Sequence, residues 1–277
     1  MTNPATTGRR LSVSSWSLHR ALGRPAFYGP EDDVIPAESH GRGPVSLLEL
    51  PARIAAFGIT TLEICHFHLP SRDPGYLAEL RGALRDAGVQ LFSLLVDAGD
   101  VTSPAHGVRD LAWIHRWVPV ARALGAERMR VIAGKSEPMA ETLALSAVSL
   151  EALARDASHA GVRLMTENWF SLLSRPEVVH QLFSRLDGQV GLCLDFGNWG
   201  GPTKYEDLAA IAPLAESCHT KAHFTAPGAL DGGDYTRCLE ITRAAGFVGP
   251  YTLIYDGPGD DELEGLALER EVVAPYL

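Results

Sequence analysis

The sequence is poor in several features at once. Its 277 residues include four cysteines, Cys65, Cys193, Cys218 and Cys238, and no two of them form a CxxC pair. Neither a disulfide framework nor a cysteine-based zinc knuckle is therefore expected. Positive charge is scarce too: 24 Lys and Arg stand against 34 Asp and Glu, for a formal net charge of -10. A protein that grips a phosphate backbone normally carries a basic stripe, so nucleic acid is not an expected partner. There is no uninterrupted apolar run of about 18 residues, and the N-terminal MTNPATTGRR is polar, so no membrane span or signal peptide is read. A cytoplasmic soluble protein is the default expectation. Walker loops, dinucleotide-binding glycine fingerprints and GxSxG elbows are missing, and Ser14 and Ser15 have no evident base nearby in sequence, which leaves nucleophilic catalysis little support.

What is there is ordinary in amount and informative in order. Hydrophobic residues make up 46% of the chain, enough to pack a core without staples. Eight short apolar or β-branched runs, at 11–15, 60–64, 90–96, 128–133, 162–167, 190–195, 218–223 and 251–256, alternate with segments of helical spacing. The helical segments are 47–57, 76–87, 108–124, 144–159, 177–186, 205–214, 235–245 and 262–274. Strand–helix alternation implies parallel pairing with right-handed crossovers. Glycines at 58, 88, 125, 161 and 246 stand just past helical segments, as helix-ending residues do. The expected fold class is α/β, a single (β/α)8 TIM barrel spanning 1–277 as one domain. The segment at about 24–45 breaks the rhythm with Pro, Gly and acid, and reads either as a lid or wall at the catalytic rim or as a surface insertion.

In such a barrel the chemistry sits at the C-terminal strand ends. Strand five ends in Glu167-Asn168-Trp169, and strand six in Asp195-Phe196-Gly197-Asn198-Trp199. Strand seven runs Cys218-His219-Thr220-Lys221-Ala222-His223, and strand eight closes on Tyr255-Asp256. A carboxylate closing an apolar run needs a partner. Glu167, Asp195 and His219 lie on consecutive strands and could converge on one divalent ion: Mn²⁺, Mg²⁺, Co²⁺ or Zn²⁺. The alternative is that these acids cap the following helices or pair with Lys221. Trp16, Trp169 and Trp199 could form an apolar platform for a sugar ring, or simply pack barrel against helix.

Taken together, ENW at Glu167, LDFGNW at Asp195 and HTKA at His219, with GITTLE and LGAERMRVIAG upstream, resemble the xylose-isomerase-like TIM barrels. That superfamily holds sugar phosphate isomerases and epimerases, inosose dehydratases and family 2 AP endonucleases. The resemblance implies one divalent metal held by acids on strands five and six, a His on strand seven and a Glu on strand eight. It makes Glu167, Asp195 and His219 ligands, Asn198 a contact to substrate or metal-bound water, and Glu63 the acid ending strand two. Trp16 and His19 would supply wall and hydrogen bonds. Glu167 and Lys221 are the candidate catalytic residues, either one moving the proton, with Lys221 alternatively a fixed charge. Of the histidines that follow, His66 and His68 after Glu63, and His223 after Lys221, are candidate substrate contacts; plain packing is their other reading.

Two departures bear on mechanism. Trp169 stands where the family often has His, and Ile254 stands at the usual strand-eight Glu. Asp256 faces the same way two residues on, about 6.6 Å farther up the strand at a rise of roughly 3.3 Å per residue, so it is an uncertain fourth ligand. Epimerisation needs a base and an opposing acid. With one of them gone, the expectation is a one-base, divalent-metal-dependent isomerase or epimerase-like enzyme. It would act on a sugar, sugar phosphate or cyclic polyol through an enediolate. A non-catalytic or sensory carbohydrate-binding barrel is the alternative, and a metal-dependent lyase resembling inosose dehydratase, or a hydrolase, the third. The partner is a small carbohydrate, and pairing into a homo-oligomer is compatible with exposed barrel helices.

Overall fold

The computed structural model describes residues 8–23, 27–32, 34–36 and 43–277. The lid-or-wall expectation for 24–45 falls partly on 24–26, 33 and 37–42, which lie outside the described residues.

Eight parallel strands close into a barrel: β1 (Arg10–Ser14), β2 (Thr61–Cys65), β3 (Gln90–Val96), β4 (Arg128–Val131), β5 (Arg163–Glu167), β6 (Gly191–Asp195), β7 (Ala215–Lys221) and β8 (Pro250–Ile254). Their order around the barrel is β1-β8-β7-β6-β5-β4-β3-β2. Among the described residues ten α-helices flank them: α1 (His19–Leu22), α2 (Leu50–Ala56), α3 (Pro74–Asp86), α4 (Gly107–His115), α5 (Trp117–Leu124), α6 (Ala140–His159), α7 (Pro176–Leu186), α8 (Lys204–Ile211), α9 (Gly232–Ala244) and α10 (Glu262–Val273). The expected single (β/α)8 barrel is what the chain forms.

Alternation along each strand makes two cores. One set of strand side chains, among them Leu62, Ile64, Leu94, Met129, Leu164, Leu192 and Leu253, joins the helices in a continuous buried layer. The opposite faces enclose a separate small cluster of Phe92, Met165 and Cys193. Period-two spacing then puts Glu167 above Met165 and Asp195 above Cys193, at the strands' C-terminal ends. Two register slips adjust this layer, one between Leu62 and Glu63 opposite β3, the other between Leu192 and Cys193 opposite β7. Each leaves one extra residue in the partner strand and re-aims its neighbours. At the other end, Arg10 and Arg128 lie 5.3 and 5.8 Å from the Phe92 ring, and Arg163 pairs with Glu216.

Local differences from the sequence reading have physical causes. The expected helix over 108–124 is two helices, broken at Arg116. A continuous helix would drive the Pro119 ring into the carbonyl four residues back, at His115. Strand seven begins earlier than expected, at Ala215, and ends at Lys221; Phe224–Ala226 and Ala229–Leu230 then pair as a small antiparallel hairpin. No helix among the described residues is long and apolar enough to cross a membrane.

Candidate active site

The strand-end residues meet at a cavity of about 50 Å³ bounded by Ser14, Trp16, Cys65, Leu95, Asp97, Arg130, Glu167, Trp169, Asp195, Asn198, His219, Lys221 and Ile254. A larger surface groove of about 640 Å³ lies at the opposite end, between Arg128, Arg155, His159 and Arg163, and contains none of the strand-end acids. The small cavity is where the strand-end polar groups converge, which makes it the candidate site.

Glu167, on β5, is 5% exposed. Its Oε1 accepts a hydrogen bond from Asn198 Nδ2 at 2.6 Å. Its Oε2 lies 3.1 Å from Arg130 Nε and 3.3 Å from His219 Nδ1. Burial alone would raise this carboxyl, but the Arg130 guanidinium and His219 outweigh it and hold it below the usual carboxylate range. Asp195, on β6, is fixed differently. Its Oδ1 accepts from the backbone N–H groups of Gly197 and Asn198 at 2.6 and 2.8 Å, which leaves Oδ2 3.8 Å from His219 Nδ1. Burial and the neighbouring Glu167 push the Asp195 carboxyl upward. Asn168 stitches β5 to β6 beneath them: its Oδ1 accepts from Asp195 N at 2.7 Å, and its Nδ2 donates to Asp195 O at 3.0 Å.

His219 is oriented from behind, with Nε2 donating to Glu63 Oε2 at 2.7 Å and Nδ1 facing the cavity. Burial disfavours its charge, yet Cys193, Glu63 and Glu167 around it raise its pKa well above the ordinary imidazole value. Lys221 Nζ pairs with Asp256 at 2.8 Å. Although burial opposes its charge, Asp256 and Asp195 raise its pKa, which suits a fixed cation better than an amine accepting a proton. Asp256 is half exposed and does not border the cavity; Ile254 does.

The remaining candidates divide. Trp16 and Trp169 wall the cavity, and Asn198 reaches Glu167 within it. His66 and His68 are buried with both ring nitrogens engaged by protein. His66 Nε2 donates to Tyr28 O and its Nδ1 accepts from Asp97 N, each at 3.1 Å. His68 contacts Ser15 Oγ at 2.9 Å and His19 Nδ1 at 3.2 Å. His223 is exposed, ahead of the hairpin. Among the residues that escaped the sequence reading are Arg130 and its ion-pair partner Asp97, which line the cavity, and Cys193, whose Sγ lies within reach of Glu167 and His219. Arg130 and Cys193 were legible in principle. In Arg128-Met129-Arg130-Val131 and Gly191-Leu192-Cys193-Leu194-Asp195, alternation turns both toward the barrel interior.

The atoms themselves answer whether this mouth suits a divalent ion. Glu167 Oε2 is buried without a hydrogen bond of good geometry. Its 3.3 Å separation from His219 Nδ1, and the 3.8 Å from there to Asp195 Oδ2, match two donors sharing an ion through bonds of about 2.1 Å. Glu167, Cys193 and His219 offer donor atoms within 4.8 Å of one another, a set that Asp195 does not join. At this mouth four buried carboxylate groups, those of Glu63, Asp97, Glu167 and Asp195, outnumber the cationic groups of Arg130, His219 and the part-buried Lys221. The donor chemistry and the excess negative charge fit a divalent cation.

Residues 51–271 match the sequence profile of a family described as xylose isomerase-like TIM barrel. Among solved structures, a xylose isomerase-like TIM barrel protein from Mycobacterium smegmatis, in complex with magnesium, superposes with a TM-score of 0.68 at 16% identity, covering 100% of this chain and 98% of that one. A D-allulose 3-epimerase from Methylomonas sp. gives 0.68 at 15% identity, with 100% of each chain covered. A D-psicose 3-epimerase from Clostridium cellulolyticum H10, determined with D-tagatose, gives 0.68 at 14%, covering 95% and 99%. No curated protein matches the sequence. Closed barrel, strand-end acids and a profile match over most of its length agree: the chain belongs to the xylose isomerase-like TIM barrel family.

Proposed function

We propose that this protein is a one-base isomerase or epimerase-like enzyme acting on a sugar or cyclic polyol through an enediolate, with a divalent ion as cofactor. The observation that carries the reading is the meeting of Glu167, Asp195 and His219 at one buried mouth, with His219 Nδ1 3.3 and 3.8 Å from the two carboxylates. Glu167 and His219 would hold the ion, with Cys193 within reach of both and Asp195 approaching from the His219 side. When bound, the ion supplies Lewis-acid polarisation of substrate oxygens.

The protein's own side chains supply the rest. Glu167, kept ionised by its neighbours, is the base that takes a proton from the carbon beside the substrate carbonyl; the C–H electrons form the enediolate double bond. Returning that proton to the former carbonyl carbon, as a hydroxyl proton passes from one enediolate oxygen to the other, completes aldose–ketose isomerisation and leaves Glu167 as it began. Asn198 fixes the carboxylate through Oε1. Lys221 stays an ammonium and holds a developing oxyanion, while Trp16 and Trp169 exclude water. Ile254 offers no proton from the opposite face, which is why one base is proposed.

Incubating the metal-loaded protein in deuterated water with a panel of ketoses, aldoses and inososes tests this. One substrate should convert to its isomer, with deuterium entering only as far as the Glu167 proton exchanges with solvent before its return, and chelation should stop the conversion. Lack of both conversion and exchange for all of them, with metal bound, would favour the second reading: a carbohydrate-binding barrel that Ile254 has deprived of turnover. Unchanged metal content in both Glu167→Gln and Asp195→Asn would remove the proposed site altogether.

A further inference from the structure

In the closed barrel, β4 stands four strands from β8, on the far side of the mouth. At the β8 end the cavity is bounded by Ile254, which carries no charge; at the β4 end it is bounded by Arg130. Arg130 is 4% exposed and held on two sides. One guanidinium nitrogen pairs with buried Asp97, and Nε lies 3.1 Å from Glu167 Oε2. That carboxylate oxygen is the same atom that faces His219 Nδ1 and would serve the ion.

We propose that Arg130 is a built-in counter-cation that shares Glu167 Oε2 with a divalent ion at this mouth and so weakens the ion's hold. The inference rests on the metal-site reading above. An arginine cannot shed its charge, and Asp97 keeps it from swinging out to solvent. An ion arriving at Glu167 therefore meets a fixed positive charge already on its ligand, in surroundings that screen poorly. The missing strand-eight acid subtracts further negative charge from the same mouth. Arg130 thus takes over part of the ion's charge-balancing role and keeps the empty site from stranding Glu167 as an unpaired buried anion.

Calorimetric titration of the chelator-stripped, full-length protein with MnCl₂ tests this. The paired change Arg130→Met with Asp97→Asn removes one charge of each sign, so the mouth keeps its net charge, Asp97 is not left as an unpaired acid, and Glu167 keeps His219 as its partner. The double variant should bind Mn²⁺ roughly tenfold more tightly than the wild type, or better. Equal or weaker binding, in a double variant that melts like the wild type, overturns the inference and leaves the metal-site reading intact. Arg130→Gln with Asp97→Asn keeps a hydrogen-bonding group in place should the first pair fold poorly, and the same outcomes decide. Glu167→Gln locates the ion: unchanged Mn²⁺ affinity there, or no binding by any of these proteins, overturns both readings together.

Discussion

Glu63 and His219 meet across the barrel mouth, Nε2 donating to Oε2 at 2.7 Å, although 156 residues separate them and their strands share no ladder. The contact fixes the ring plane and turns Nδ1 toward Glu167 and Asp195. Partners that orient a ligating histidine commonly govern metal affinity, by about 10–100-fold when removed. Glu63→Leu should weaken Mn²⁺ binding by that order, measured by calorimetry, while Glu63→Gln should lose less. Equal affinity in all three proteins would reduce Glu63 to a structural acid.

Glu167→Gln keeps the shape and the Asn198 contact but removes the proposed base. Turnover of whichever substrate the exchange assay identifies should fall about 10²–10⁴-fold. The reading is kcat in the metal-saturated variant, with circular dichroism as the check on folding. A fall confined to KM would move Glu167 from proton transfer to binding.

Arg130→Met alone leaves Asp97 without its ion-pair partner in a buried site. Breaking a buried pair from one side costs about 3–5 kcal/mol, far more than removing both partners. Urea melts should therefore show the single variant strongly destabilised and the Arg130→Met, Asp97→Asn pair recovering most of the loss. Additive losses would mean the two side chains act independently.

Glu269, on α10, is 0% exposed, and burial raises its carboxyl well above the ordinary value against a lesser pull from the Ile254 backbone. The native state thus holds this proton more tightly than the unfolded chain, which releases it near the ordinary pKa of about 4.3. The stability contributed by the protonated acid is complete below that pH and is lost as pH rises toward the raised native value. Glu269→Gln, which cannot ionise, should gain on the wild type as pH increases. Melting temperatures at pH 4.5 and pH 8 check this: the difference in favour of Gln should be larger at pH 8, and an equal difference would mean the Glu269 carboxyl is not raised in the native state.

The architecture was legible because strand–helix alternation and helix-ending glycines are local signals, and the barrel follows from eight repeats of them. Glu167 and Asp195 were legible for a related reason: each closes an apolar run, so strand direction alone brings them to one end, whereas His219 was read from its place beside Lys221 on the next strand. Arg130 broke no local rule. Its meaning lies in Asp97 and Glu167, one strand away on either side, and only the register of three neighbouring strands brings them together. His66 was equally opaque, since its partners are the Tyr28 carbonyl and the Asp97 amide, and backbone groups leave no mark in a sequence. Pro119 did carry a readable warning that the helix over 108–124 would break.

The seam between β1 and β8 ties Arg10 through Val13 to Pro250 through Leu253. Beyond it, Ser17 Oγ donates to Leu253 O at 3.1 Å and accepts from Tyr255 N at 2.9 Å, and Glu262 accepts from the Arg20 and Ala21 amides at 2.6 and 3.0 Å. A nascent chain emerging from the ribosome consequently carries every proposed ligand well before it can lock the cylinder around them. Truncation ahead of Pro250 should yield an open, protease-sensitive sheet rather than a smaller working domain.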